Sequence, residues 1–240
     1  MRIVLTERQF DALILHGRMA QLLQEDTAAE NKKILLRKLI KHSLIAGMAV
    51  GSVIMAIDQS NLPAKEKTEM AKLARADSIA LAEKQKAKAD SAYQAKVNAV
   101  RNYMAKALKN QNYSLQSTRL KPETLVNASM ETGFDLPFIM AVAHQESCFG
   151  ATPRAKRTGS VFSVGLYDNG HNAITYNDPN DSVYGFINLL NSDYLQNGKS
   201  LSDLLNPGSF VNHNGDRYAS DSNYEHKIKN LRDKIAKEIS

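Results

Sequence analysis

Cysteine occurs once in the 240 residues, at Cys148, so no disulfide can close within the chain and no multi-cysteine zinc site can form. His144, His171 and His213 fall at no metal-ligand spacing, and neither a metal nor a cofactor is expected. A secretory signal is not expected either. Met1-Arg2-Ile3-Val4-Leu5-Thr6-Glu7-Arg8-Gln9 puts charges where such a signal needs an unbroken apolar stretch, which argues against ordinary export. From Ala64 to Asn112 there is neither glycine nor proline, so nothing in that span interrupts a helix. What the chain has in excess is positive charge. A net charge of +6 and a pI near 9.2 suit an anionic surface or polymer, although charge alone does not choose among lipid, nucleic acid and cell wall.

Three regions differ in composition. Residues 1–61 read as a helical segment: Thr6-x-x-Gln9 resembles a capping box, and Phe10, Leu13, Met19 and Leu22 follow at helical intervals. Farther on, 43–57 carry no charge and include Gly47-x-x-x-Gly51, a spacing that lets helices approach closely in lipid. At about 1.5 Å per residue this stretch reaches roughly 22 Å, short of the about 30 Å of a bilayer core. Membrane contact and packing in an oligomer or virion assembly are both compatible with it. Residues 62–118 are rich in Ala, Lys, Glu and Gln with few large apolar side chains, which predicts a long helical stalk or linker with a solvated face and no specific nucleic acid. Residues 119–240 hold most of the aromatics, glycines and turn signals, and form the globular part.

Within that part, Pro122 to Thr132 reads as a helix with Leu125, Ala128 and Met130 as its apolar side. Asp135 precedes Leu136-Pro137 as a helix start, and Ile139, Ala143 and Glu146 then fall at i, i+4 and i+7. Glu146 therefore continues a buried stripe just before Gly150 ends the helix. Burial and the negative end of the helix both oppose its ionisation, and both favour general-acid use. Gly150 to Asn177 reads as loop or a small hairpin, with Val161, Val164 and Leu166 as strand positions and Asp168-Asn169-Gly170 as the turn. Val183, Phe186, Ile187, Leu190 and Tyr194 mark another helix. A last one carries Tyr224, Ile228, Leu231 and Ile235 on one face, behind a Ser222-x-x-Glu225 capping box.

Glu146-Ser147-Cys148-Phe149-Gly150 and, farther on, Tyr218-Ala219-Ser220-Asp221-Ser222-Asn223-Tyr224 occur in an order that resembles glycoside hydrolase family 73. Its members show Glu-Ser-x-x-Gly and Tyr-Ala-Thr-Asp-x-x-Tyr, and serine replaces the threonine here. The resemblance covers about 120–240. For that span it implies a lysozyme-like C-terminal domain with a small β-hairpin; with the stalk and the N-terminal helical segment read from composition, the chain is expected to be mainly α. The resemblance also implies an N-acetylglucosaminidase that cuts β-1,4 bonds of peptidoglycan glycan strands. One segment departs from the family pattern. Phe162-Ser163-Val164-Gly165-Leu166-Tyr167 keeps only the glycine and its aliphatic neighbour, so that loop's sugar contacts do not carry over. Gln145-Glu146-Ser147-x-Phe149 with Gly165-Leu166 is also similar to the soluble lytic transglycosylases.

Glycoside cleavage needs a proton for the leaving oxygen and stabilisation of an oxocarbenium-like centre. Glu146 is the expected acid. Asp168, Asp178, Asp181 and Asp221 are candidates for a second carboxylate, unless the substrate's own acetamido oxygen acts as nucleophile. By the resemblance, Tyr218 would orient that acetamido group. Tyr176, Tyr184 and Tyr224 offer ring faces and hydroxyls to line a sugar groove, Asp221 is expected to cap the last helix, and Cys148 to be a packed thiol. Combined with the basic apolar segment and the expectation against ordinary export, these features suit a phage virion protein acting at the cell envelope. The rival reading is a structural or assembly protein that keeps the domain without turnover.

Overall fold

The computed structural model describes Ile54, Ile57, Asp58, residues 63–165 and residues 174–240. The expected N-terminal helices, all of 43–57 except Ile54 and Ile57, and the Asp168-Asn169-Gly170 turn with Leu166 lie outside the described residues. Among the described residues the chain is mainly α-helical, and no helix is long and apolar enough to cross a membrane. The chain divides into two compact units, Met1–Ser91 and Ala92–Ser240.

Helix α1, Ala64–Asn110, contributes to both units. Its length follows from the uninterrupted run of strong helix formers. In the first unit its side chains are largely exposed, with Met70 and Ala74 buried. In the second unit the same helix becomes core: Val97, Val100, Met104, Ala107 and Leu108 are buried at i, i+3, i+7, i+10 and i+11. Lys96 donates to the Ile239 carbonyl at 3.1 Å, and Arg101 and Lys106 pair with Glu123 and Glu238. The globular unit therefore begins at Ala92, inside the segment expected to be stalk up to residue 118.

Helices α2 (Pro122–Thr132), α3 (Leu136–Ser147), α4 (Pro153–Thr158), α5 (Asp181–Leu189), α6 (Leu201–Leu204) and α7 (Tyr224–Glu238) complete the second unit. α2 forms where expected and buries Leu125 and Ala128, but Met130 points outward, 69% exposed. α3 is the central element. Phe138 through Ala143 are all buried, and the helix packs against α2 and α7. Its start is held by the Asp135 carboxylate, which accepts from the Phe138 N–H at 3.0 Å and pairs with Arg232 of α7 at 2.7 Å. α5 buries Val183, Phe186 and Ile187 and runs into a π-helical turn, Leu190–Tyr194.

Two local expectations are corrected. No strand forms at Val161 and Val164: both are buried in turns that follow α4, and among the described residues the β pairing is one isolated bridge, Val211 to Arg217. α4 arises instead because Thr152 accepts from the Ala155 N–H and Pro153 starts the first turn without needing its missing donor. Ser222-x-x-Glu225 is not a capping box. α7 begins at Tyr224, and the Glu225 carboxylate turns inward, where it is 1% exposed and accepts from the Arg217 guanidinium at 2.9 and 3.0 Å and from the Phe210 N–H at 3.3 Å. A buried carboxylate needs those partners, and their demand outweighs that of the helix end.

Candidate active site

Glu146 lies in the last turn of α3, partly buried. Beyond it the chain turns sharply, because Cys148, Phe149 and Gly150 all take left-handed backbone conformations (φ 48°, 58° and 81°). That unusual run is held by Ser147, whose buried hydroxyl donates to the Val161 carbonyl at 2.6 Å and accepts from the Gly150 N–H at 2.7 Å. Amides of Cys148 and Phe149 return to the His144 and Ala143 carbonyls at 2.9 Å. The serine after the glutamate thus fixes the helix end.

Tyr224 and Tyr218 stand close to Glu146, and Tyr176 stands close to Tyr218. Tyr224, the first residue of α7, donates to Glu146 Oε1 at 2.5 Å. Tyr218 donates to the Phe162 carbonyl, and its ring stacks on Phe210 at 4.7 Å, with Phe186, Tyr194 and Tyr224 around it. Tyr176 is seated by two close approaches. A side-chain carbon at Gly159 would fall 1.9 Å from the Tyr176 carbonyl oxygen, and one at Gly185 would fall 2.3 Å from its hydroxyl. Tyr184 is directed elsewhere, donating to Glu131 at the end of α2 at 3.0 Å. Of the aromatic residues singled out in the sequence, Tyr224 thus touches Glu146, Tyr218 stands within its electrostatic neighbourhood, and Tyr176 stands within that of Tyr218.

Burial pushes the Glu146 carboxyl above the ordinary carboxylate range, against the opposing hydrogen bonds from Tyr224 and Ser163, which favour the ionised form. Desolvation, then the nearby Glu146 charge, hold the Tyr218 and Tyr224 hydroxyls well above the usual tyrosine value. Both remain donors while the carboxyl titrates. No carboxylate contributes to the Glu146 shift among the described residues. Asp178 bonds the Asn180 N–H and amide, Asp181 is exposed in the first turn of α5, and Asp221 holds Lys227 and the Asn223 N–H before α7. Asp168 lies outside the described residues.

A groove of about 300 Å³ opens beside Glu146, lined also by Gln111, Tyr113, His144, Gln145, Cys148 and Thr152. His144 meets the Tyr103 hydroxyl at 3.2 Å and stacks on Phe149, and burial, aided by Lys234, lowers its pKa. Cys148 is buried, with its thiol pushed up by burial. Among the described residues no group of three His, Cys, Asp or Glu side chains is arranged to hold a metal ion. Tyr113 was not legible as a groove residue, since it follows α1 in a segment without periodicity. Its one sequence signal is an aromatic after the charged run ends.

No family model, curated relative or solved structure matches this chain.

Proposed function

We propose that the unit beginning at Ala92 is a lysozyme-like peptidoglycan hydrolase of the N-acetylglucosaminidase type, with Glu146 as the proton donor. The observation that carries the reading is a protonation-prone carboxyl at a rigid helix end, facing a groove and held by a tyrosine hydroxyl. Such a group can deliver a proton to a glycosidic oxygen. Stabilisation of the positive anomeric centre falls to the substrate itself. The acetamido oxygen attacks that carbon as the leaving oxygen takes the Glu146 proton, and water then opens the resulting ring. Tyr218 suits the supporting role. With its proton committed to the Phe162 carbonyl, its oxygen is left to accept from the acetamido N–H, which orients the group.

The placement in a phage virion or at the cell envelope belongs to the same proposal, supported by the basic charge and the uncharged 43–57 stretch. Mass spectrometry of purified peptidoglycan digested with the full chain tests the reaction. Fragments ending in reducing N-acetylglucosamine are expected. Anhydromuramoyl ends would replace hydrolysis by lytic transglycosylation, and no released fragment would leave a binding or assembly protein.

A further inference from the structure

Between Phe210 and Asn223 the chain forms no helix, and its one regular pairing is the Val211–Arg217 bridge, yet this segment carries Tyr218 and leads into Tyr224. Arg217, directly before Tyr218, gathers it. The guanidinium donates to the Ala219 carbonyl at 3.1 Å, to the Asp221 carbonyl at 3.2 Å and to both oxygens of the buried Glu225 carboxylate. Glu225 in turn accepts from the Phe210 N–H, and the Phe210 carbonyl accepts from the Tyr218 N–H at 2.9 Å. The Asp221 carbonyl that Arg217 holds also takes the Tyr224 N–H at 3.1 Å. One ion pair is thus a single hydrogen-bonded step from the backbone of both tyrosines that neighbour Glu146. Stability alone does not explain its presence. Packed apolar side chains in place of a buried ion pair are often as stable or more so, whereas the planar fork of an arginine fixes direction.

We propose that Arg217 and Glu225 are positioning residues: their pair holds Tyr224 on the Glu146 carboxyl and fixes the direction of the Tyr218 hydroxyl beside it. This rests on the reading of Glu146 as the proton donor and adds which side chains, themselves no part of the groove lining, set its surroundings. Loosening the pair is expected to act on Glu146 through Tyr224, whose hydrogen bond favours the ionised carboxylate.

NMR of the full chain, isotope-labelled at its glutamate carboxyl and tyrosine ring carbons, tests the proposal without turnover. Glu146→Gln, Tyr218→Phe and Tyr224→Phe assign the signals. Arg217→Leu combined with Glu225→Gln removes both charges, strands no buried ion and leaves an amide oxygen for the Phe210 N–H. In this double variant the Glu146 titration is expected to move up by about half a pH unit as the Tyr224 bond loosens. The Tyr218 and Tyr224 signals should shift with it, while that of Tyr184, bonded to Glu131, stays in place. Arg217→Lys, which keeps the charge and loses the fork, should move Glu146 in the same direction by less. A Glu146 titration unchanged or lowered in the double variant, or a Tyr184 signal that moves as far as the other two, would overturn the proposal. So would loss of folding by the double variant, which would make the pair a condition of folding and not of placement. A raised titration in a chain whose parent form releases no fragments from peptidoglycan would keep the positioning role and remove the hydrolase reading.

Discussion

At the scale of single residues, the decisive balance is at Glu146, where burial favours the protonated acid and the Tyr224 and Ser163 hydrogen bonds favour the carboxylate. Removing a bond to the charged form shifts that balance further upward. Tyr224→Phe is therefore expected to move the alkaline limb of the pH–activity profile to higher pH. An unmoved limb would separate Tyr224 from the titrating group. The same shift governs stability. Because the folded chain holds this proton more tightly than the unfolded one, the contribution of Glu146 is most favourable below the ordinary glutamate pKa of about 4.3. It is lost as pH rises from there through the raised folded value. Glu146→Gln should accordingly gain stability relative to the parent chain at neutral pH and lose that advantage in acid, as urea unfolding at pH 4 and pH 7.5 will report. The i, i+4, i+7 stripe from Ile139 made this acid legible in the sequence. Which tyrosine would reach it was not, since Tyr184 and Tyr224 have similar surroundings in sequence and only the packing of α5 and α7 sends one to Glu131 and the other to Glu146.

Elements place that carboxyl through their ends. Asp135 starts α3 and also receives Arg232 from α7, so one side chain sets both the beginning of the acid-bearing helix and its register against the helix that carries Tyr224. Asp135→Ala is expected to cost about 1–2 kcal/mol from the lost cap, with a further contribution from the half-exposed ion pair. Asp135→Asn should retain most of the cap. Equal stabilities for the two variants in denaturant titrations would contradict this assignment. Helices with apolar stripes, α2, α3 and α5, were readable from their period, and α3 also from its Asp135 cap. α4 was not, because six residues are too few to display a period and its Thr152-Pro153 start stood in a stretch that otherwise read as loop. Glu225 misled for a related reason. A capping-box spacing describes only local partners, and Arg217 with the Phe210 N–H supplied better ones from outside the helix.

For the whole molecule, the consequential difference is where the globular unit begins. The Ala- and Lys-rich composition of α1 concealed a real stripe, because Val97, Val100, Met104, Ala107 and Leu108 are diluted by polar neighbours over a long helix. Burying a large apolar side chain contributes about 1.5–3 kcal/mol, so losing several of them exceeds the margin of an ordinary domain. A fragment spanning 92–240 should fold cooperatively with native-like helicity, whereas 119–240 should not, as thermal unfolding followed by circular dichroism will show. Cooperative folding of the shorter fragment would place α1 outside the core.

Release of soluble fragments from purified peptidoglycan by the full chain and by Glu146→Gln, measured side by side across pH 4 to 9, tests the central claim most directly. The account predicts release by the parent chain that declines on the alkaline side, and at least about a hundredfold less from the variant at every pH. Equal release by the two proteins would contradict it.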